Sequence, residues 1–175
     1  MPQPLFVVFE GGEAAGKSTQ TRLITAYLVR QGYKVTRVTE PGSTQLGARV
    51  RRLVKYGPKA ITPLAEVMLF LAARAQLVKE VIFPALARGD GVVSDRFADS
   101  TLAYQGYGRG LDVADLRRLN TIATGGLVPD LTVLLDIPVE ASIKRRPPRA
   151  TDRFEAELPD QEGGSSNQTF HEKVR

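Results

Sequence analysis

Apolar runs alternate with segments of helical periodicity along this chain. Short stretches rich in Val, Leu and Ile predict buried strands at residues 5–9, 34–39, 91–95 and 131–137. Apolar residues at three- and four-residue spacing predict helices over residues 17–31, 45–56, 63–88, 112–124 and 138–146. Strands that are apolar throughout and separated by helices are typical of a parallel sheet covered on both faces. The pattern therefore predicts an α/β fold.

The segment 63–88 is the longest predicted helix, and Gly89 follows its end. One face of this helix carries a stripe of apolar residues, which we expect to pack on the core. The stripe consists of Leu64, Val67, Met68, Leu71, Ala75, Val78 and Ile82.

A glycine-rich stretch lies between the first predicted strand and the first predicted helix. Gly11, four intervening residues and then Gly16-Lys17-Ser18 form a complete Walker A pattern. Glycines let consecutive N–H groups turn around a phosphate, and the helix N-terminus adds its dipole. Lys17 can reach the β- and γ-phosphates, and the Ser18 hydroxyl can bind Mg²⁺. The predicted triphosphate site comprises Gly11, Gly12, Glu13, Ala14, Ala15, Gly16, Lys17, Ser18 and Thr19.

Three classes of protein use such a loop: nucleotide switches, motors and kinases of small molecules. The Asn-Lys-x-Asp motif with which GTPase switches recognise guanine is absent from the chain. A motor normally needs a larger chain and an oligomer interface. A chain of 175 residues suits one compact domain, and a small-molecule kinase fits it.

Asp95 ends the third predicted strand, and Arg96 follows it directly. Ligands of parallel sheets bind beyond the carboxyl ends of the strands, where the glycine-rich loop also lies. A carboxylate in this place can hold Mg²⁺ directly or through water. We therefore predict that Asp95 is a metal ligand and that Arg96 faces the same cleft.

Charge and composition narrow the possible partners. The net charge is +5, but the basic clusters at residues 49–55 and 144–153 are not interleaved with aromatic residues. We expect this charge to serve a small polyanion, and we expect no nucleic-acid partner. The chain has no cysteine, which excludes disulfides and cysteine-based zinc sites. Neither a membrane-spanning run nor a signal peptide is evident, so we expect a cytoplasmic protein without a membrane partner.

Several long segments resemble thymidylate kinases. DRFADSTLAYQGYGRGL (residues 95–111) is similar to that family's DRY/F-x-x-S-x-x-A-Y-Q-G segment, and TEPGSTQLG (39–47) to its Arg-Glu-Pro-Gly-Gly-Thr loop. EVMLFLAARAQLV (66–78) resembles the family's nucleotide-binding helix, and GLVPDLTVLLDIP (126–138) its fourth strand. The resemblance runs in order from residue 5 to residue 175. It implies the P-loop NTPase fold of nucleoside monophosphate kinases.

The resemblance implies ATP-dependent phosphorylation of dTMP to dTDP, with Mg²⁺ accompanying ATP. It also assigns the dTMP site to residues in the matching motifs of this chain. These are Phe70 for stacking on thymine, Arg74 for a base carbonyl, Thr101 and Gln105 for the base edge, Tyr104 for the sugar, Arg51 and Arg96 for the acceptor phosphate, Glu13 near the sugar and the metal, and Glu40 in the loop that positions the phosphate.

Arginines outside the glycine-rich loop are the remaining catalytic candidates. The loop carries no basic residue between its two glycines, whereas KRRPPRATDRFE (144–155) is rich in arginine. This resembles the bacterial branch of the family, in which a closing lid supplies the arginine. We expect a lid over about residues 145–168, and we select Arg149 and Arg153 as catalytic candidates beside Lys17, Asp95 and Arg96.

The whole chain, residues 1–175, is predicted to form one P-loop kinase domain. No strand pattern follows the polar segment after residue 146, so we expect a terminal strand and helices to be missing, in a fragment or through absent residues. The resemblance further implies a homodimer formed through helices that include 63–88. Two alternatives stay open: a kinase of another nucleoside monophosphate or nucleoside, and a nucleotide-binding module without phosphotransfer.

Overall fold

The computed structural model describes residues 4–58 and 61–145. They form a four-stranded parallel sheet of β1 (Phe6–Gly11), β2 (Val35–Thr39), β3 (Gly91–Asp95) and β4 (Leu131–Leu135), in the order β2-β3-β1-β4. The helices are α1 (Lys17–Arg30), α2 (Gln45–Tyr56), α3 (Pro63–Leu77), α4 (Phe83–Ala87), α5 (Ala98–Thr101), α6 (Val113–Thr124) and α7 (Val139–Lys144). The predicted α/β class is confirmed.

The register of the central strands brings the site elements to one edge of the sheet. Phe9 on β1 lies opposite Asp95 on β3, and Gly11 lies opposite Leu135 on β4. The loop that follows β1 therefore begins where β3 and β4 end. This edge is the carboxyl end of the parallel sheet, where ligands of such folds bind.

The main core packs one face of the sheet against the helices that precede and follow β3. Its buried members are Phe6, Val8, Val38, Leu77, Val78, Ile82, Ala85, Val92 and Phe97. Phe6 and Phe97 meet edge to face, with ring centroids 5.0 Å apart. Phe97 comes just after the end of β3, so this contact fixes the chain at the start of the next helix.

The long predicted helix is confirmed, with one change in its geometry and one in its packing. A π-helical turn, Val78–Ile82, joins α3 to α4. The predicted apolar stripe is confirmed at Val67, Leu71, Val78 and Ile82, which are buried. It is wrong at Leu64, Met68 and Ala75, which are exposed. The buried side of α3 instead includes the charged residues Glu66 and Arg74, and Arg74 lines a large cavity. None of the helices in residues 4–58 and 61–145 is long and apolar enough to cross a membrane.

A helical segment after β3 was not predicted from the sequence. It consists of α5 followed by a π-helical stretch, Leu102–Gly108. Small, polar and glycine residues give this stretch little apolar periodicity, and π-helical geometry departs from the 3.6-residue repeat. As a result, Thr101, Tyr104 and Gln105 lie on a helical element and line the cavity together.

Candidate active site

The loop between β1 and α1 has the backbone geometry of an anion cradle. Gly11 has a φ of 142°, and a Cβ there would lie 2.6 Å from the carbonyl oxygen of Leu135, so the position requires glycine. Gly16, with a φ of 99°, precedes α1 and provides no side-chain cap. The first N–H groups of α1 are thereby left for a ligand at the helix N-terminus.

Lys17 reaches back across this loop and is only 6% exposed. Its Nζ donates to the carbonyl oxygens of Gly11 at 3.0 Å and Gly12 at 2.6 Å. Burial lowers the pKa of Lys17 to about 8; the positive charge of Arg96 acts in the same direction, and nearby carboxylates oppose it. The two carbonyls therefore hold the ammonium in the cradle, where phosphate oxygens can replace them.

Ser18 and Asp95 bring two oxygen atoms together at the carboxyl end of β3. The Ser18 hydroxyl donates to Asp95 Oδ2 at 2.5 Å. Asp95 is buried, whereas Ser18 is exposed in the first turn of α1. Oxygen atoms arranged in this way suit a small, hard divalent cation. In the part of the chain that the structure describes, no cluster of three or more His, Cys, Asp or Glu residues could hold a metal ion by itself.

Arg96 links the glycine-rich loop to the helical segment after β3. Its Nη1 donates to the carbonyl oxygen of Gly11 and to Ser100 Oγ, both at 3.1 Å. Its Nη2 donates to Glu13 Oε1 at 2.5 Å and to the Tyr104 hydroxyl at 3.3 Å. The backbone of Arg96 has a φ of 74°, unusual for a non-glycine residue, and these contacts hold it there.

The charges around Arg96 reinforce one another. Burial opposes the charged form of Glu13, but the cations of Arg96 and Lys17 hold the pKa of that carboxyl below its ordinary value. Burial likewise opposes the cation of Arg96, yet Tyr104 and Glu13 raise the pKa of Arg96 above its ordinary value. Both partners are therefore ionised at neutral pH, and the cleft contains a fixed guanidinium beside the phosphate cradle.

Arg74 is 1% exposed, and all five of its N–H groups have acceptors. Nε and Nη2 form a bidentate pair with Glu40 at 2.7 and 2.9 Å. Nη1 donates to Thr101 Oγ1 at 2.9 Å and to Asn120 Oδ1, and Nη2 also donates to the carbonyl oxygen of Phe97 at 3.0 Å. Burial raises the pKa of the Glu40 carboxyl, and the Arg74 cation opposes that effect. Arg74 thus connects α3, the loop after β2, α5 and α6.

A single cavity of about 410 Å³ unites most of the residues that the sequence analysis selected. Those that line it are Glu13, Ala14, Gly16, Lys17, Ser18, Thr19, Glu40, Arg51, Phe70, Arg74, Asp95, Arg96, Thr101, Tyr104 and Gln105. Gly11 and Gly12 line a smaller neighbouring cavity of about 60 Å³, and Ala15 is buried. Arg51 also donates to the carbonyl oxygen of Pro41 at 3.3 Å. Donor-side and acceptor-side candidates therefore share one space.

Some residues of the site were not selected from the sequence. Glu10 Oε1 accepts from the backbone N–H groups of Phe97 and Ser100, and its Oε2 accepts from Ser100 Oγ at 2.6 Å. Burial raises the pKa of Glu10 despite these hydrogen bonds. The sequence signal that could have identified Glu10 is a carboxylate directly after the apolar run of residues 5–9, near the end of β1. Asn120 and Glu66 gave a comparable signal, since each is a polar residue on the buried side of a helix.

The beginning of the predicted lid approaches the site, but its selected arginines are not described. Ser142 Oγ on α7 donates to the carbonyl oxygen of Glu13 at 2.7 Å, and Arg145 lines the large cavity. Arg149 and Arg153 lie outside the described residues. α7 therefore connects the end of β4 with the phosphate-binding loop.

Comparisons with known proteins agree on one family. The family model described as thymidylate kinase matches residues 9–174. A thymidylate kinase of Dehalococcoides mccartyi is 46% identical over 172 residues, 98% of this chain and 79% of that protein. One from a Synechococcus species is 51% identical over 153 residues, 87% of this chain and 73% of that protein. A crystal structure of the Ehrlichia chaffeensis thymidylate kinase superposes with a TM-score of 0.75 at 35% identity and covers 82% of each chain. The chain therefore belongs to the thymidylate kinase family.

Proposed function

We propose that this chain catalyses the transfer of the γ-phosphoryl group of ATP to dTMP, giving dTDP and ADP. The observation that carries the proposal is the single cavity in which Lys17 and Ser18 face the same space as Phe70, Thr101 and Gln105. A site for one nucleotide would not need both sets of residues. Membership of the thymidylate kinase family supports the same reaction.

The donor half of the proposed site is the glycine-rich loop. The N–H groups around Gly16 bind the phosphates of ATP, and Lys17 moves from the carbonyl oxygens of Gly11 and Gly12 to the β- and γ-phosphates. The lysine is buried and already in the cradle, so its charge acts in a water-poor space at short range.

Ser18 and Asp95 are the residues proposed to hold Mg²⁺, because their oxygens lie 2.5 Å apart beside the cradle. Both are hard oxygen ligands, so the residues present fit the ion. When bound, Mg²⁺ neutralises charge on the phosphates of ATP. ATP as the phosphoryl donor follows from the family, whereas the metal is part of this proposal.

The acceptor half holds dTMP by its phosphate and its base. Arg51 and Arg96 line the cavity and are proposed to bind the acceptor phosphate, for which an arginine fork is well matched. Phe70 stacks on the base, and Thr101 and Gln105 contact its edge. Tyr104 is proposed to pack against the sugar. Its ring lies under the guanidinium of Arg96, with the ring centroid 5.1 Å from Cζ, so it lies beside the proposed phosphate-binding arginine.

The proposed reaction is an in-line displacement. An oxygen of the dTMP phosphate forms the new bond to the γ-phosphorus, and the bond from that phosphorus to the bridging oxygen of ADP breaks. The attacking oxygen is already anionic at neutral pH, so no strong general base is needed. Lys17 and Arg96 supply fixed positive charge, and Arg149 and Arg153 are proposed to add charge from the lid.

A coupled ADP-release assay with ATP and dTMP tests the proposal directly. Product formation is expected with dTMP, and parallel assays with dUMP, dGMP and thymidine separate this activity from other nucleotide kinases. One methyl group is worth roughly 1–3 kcal/mol, so a preference for dTMP over dUMP is expected rather than absolute selectivity. A chain that binds ATP but releases no ADP with any acceptor would instead be a nucleotide-binding module.

The pKa of Lys17 predicts a pH dependence of ATP affinity. Because that pKa is about 8 in the free protein, the lysine loses its proton as the pH rises through 8, whereas the terminal phosphate of ATP is already largely ionised at pH 7. The Kd for ATP, measured by calorimetry, is expected to be about tenfold weaker at pH 9 than at pH 7. Lys17→Arg, whose side chain does not titrate in this range, should show a flat profile. A flat profile for the unmodified chain contradicts the role of Lys17.

Phe70→Ala tests the proposed stacking platform. Phe70 is half-buried at the cavity wall, and base stacking on an aromatic ring contributes roughly 1–3 kcal/mol. Steady-state kinetics are expected to show about a tenfold rise in KM for dTMP with KM for ATP unchanged. Phe83→Ala, which removes a half-exposed ring outside the cavity, is the control. Equal rises in both KM values would place Phe70 in the core rather than at the base.

Two further expectations remain predictions. A homodimer through the helices is proposed, supported by the exposed apolar side chains of Leu64 and Met68 on α3 and of Leu46 and Leu53 on α2. Analytical ultracentrifugation of the purified chain measures this oligomeric state. A cytoplasmic location also remains a prediction from the sequence.

A further inference from the structure

Glu66 has no role in the mechanism above, yet it is 0% exposed and contacts Gln105, which lines the cavity. Its Oε1 accepts a hydrogen bond from Gln105 Nε2 at 2.8 Å. Its Oε2 accepts from Arg109 Nη2 at 3.4 Å. A buried carboxylate is costly unless it is paired and hydrogen-bonded, so this arrangement calls for a functional or structural reason.

The carboxylate decides which end of the Gln105 amide faces the ligand. Both oxygens of the Glu66 carboxylate act as acceptors, one for Gln105 Nε2 and the other for the guanidinium of Arg109, which can only donate. Gln105 must therefore turn its NH₂ group to Glu66 and its Oε1 away from it. Gln105 lines the cavity, and its Oε1 has no hydrogen-bond partner among the described residues. The cavity thus presents a fixed hydrogen-bond acceptor at this point.

Thr101 lies four residues earlier on the same helical segment, and its hydroxyl is oriented as a hydrogen-bond donor to the cavity. Its Oγ1 accepts from Arg74 Nη1 at 2.9 Å, and a guanidinium can only donate. The hydroxyl proton of Thr101 is therefore free to be donated to a ligand in the cavity that Thr101 lines. A donor and an acceptor thus line the same cavity from one helical segment, each oriented by a buried charged group of α3.

This donor–acceptor pair matches one edge of a pyrimidine. Thymine and uracil present the O4 acceptor beside the N3–H donor, whereas cytosine presents an N4 amino donor beside the N3 acceptor. We propose that Glu66, held by Arg109, is a positioning residue that locks the Gln105 amide and so makes the site select thymine and uracil against cytosine. The inference rests on the proposed function, because it concerns the acceptor of the same reaction.

Glu66→Gln provides the test, because it keeps the shape of the side chain and removes the acceptor-only property. Either end of the Gln105 amide can then face the cavity. Relative to the unmodified chain, kcat/KM for dTMP is expected to fall roughly tenfold, while kcat/KM for dCMP rises. Because dUMP and dCMP both lack the methyl group of thymine, the ratio of their kcat/KM values measures recognition of the base edge alone. This ratio should fall by more than tenfold, since the value for the uracil base decreases while that for cytosine increases. KM for ATP should not change.

A swapped pair distinguishes positioning from packing. In the double variant Glu66→Gln, Gln105→Glu, the amide of residue 66 donates to a carboxylate at residue 105, whose other oxygen again offers only an acceptor. Discrimination between dUMP and dCMP is expected to recover. The matched control is Glu80→Gln, which makes the same change at an exposed glutamine–glutamate contact, the hydrogen bond from Gln76 Nε2 to Glu80 Oε2 at 2.7 Å. It should leave every ratio unchanged.

An unchanged ratio in Glu66→Gln with an unchanged melting temperature would overturn the inference, as would a folded double variant that does not recover discrimination. If Glu66→Gln proves too unstable to assay, the double variant alone decides between these outcomes. Absence of dTMP turnover by the unmodified chain is a different result. It would refute the proposed function itself.

Discussion

Lys17→Met is expected to lower kcat for dTMP phosphorylation by roughly 100- to 1,000-fold, the usual loss when one fixed transition-state donor is removed. Lys17 is buried in the phosphate cradle, where its Nζ lies 3.0 and 2.6 Å from two loop carbonyl oxygens. Methionine has similar length and volume but no charge, so the loop can keep its shape. Charge developing on the transferring phosphoryl group then lacks its closest counter-charge.

Single-turnover kinetics at saturating ATP measure this effect on the chemical step. Lys34→Met, which removes an exposed lysine just before β2, is the matched control and should retain full activity. A loss smaller than tenfold for Lys17→Met would show that other cations, such as Arg96, carry most of the charge neutralisation.

Glu40→Leu is expected to lower the free energy of unfolding by about 3–5 kcal/mol, because it leaves the buried Arg74 cation without its counter-ion. The two side chains are each only 2% exposed and share two hydrogen bonds at 2.7 and 2.9 Å. Urea denaturation followed by circular dichroism provides the measurement. Activity should fall together with stability, since Arg74 also orients Thr101 at the cavity.

The double variant Glu40→Leu, Arg74→Met completes a thermodynamic cycle for this pair. It should be less destabilised than the sum of the two single variants, because neither charge is then left alone. Arg118→Met breaks the exposed Arg118–Asp115 pair and should change stability by less than about 1 kcal/mol. Additive losses at Glu40 and Arg74 would mean that the pair contributes packing and no specific attraction.

Local patterns explain why much of the fold and the donor site could be predicted. The glycine-rich loop needs only eight consecutive residues, Gly11 to Ser18, and its position between a strand and a helix is visible in the hydrophobic pattern. The placement of Asp95 beside that loop follows from the rule that parallel strands end at one edge. Both inferences depend on short stretches whose physical requirements are strict.

The contacts that orient the acceptor site could not be predicted, because they join residues far apart in the chain. Arg74 meets Glu40 and Asn120, which are 34 and 46 residues away, and Glu66 meets Gln105 across 39 residues. A single sequence contains no record of such pairings. The exposure of Met68 escaped prediction for a related reason, since periodicity reveals an apolar face without revealing what covers it.

The shared cavity also has a consequence for inhibitor design. Lys17 and Ser18 on the donor side and the base-binding wall on the acceptor side line one continuous space of about 410 Å³. A molecule that joins a donor fragment to an acceptor fragment through a linker of matched length binds its second half at an effective concentration in the millimolar range. Its avidity can exceed that of either fragment by about 10²–10⁴-fold without any new contact. The length of the linker between the two fragments therefore becomes the main variable to optimise.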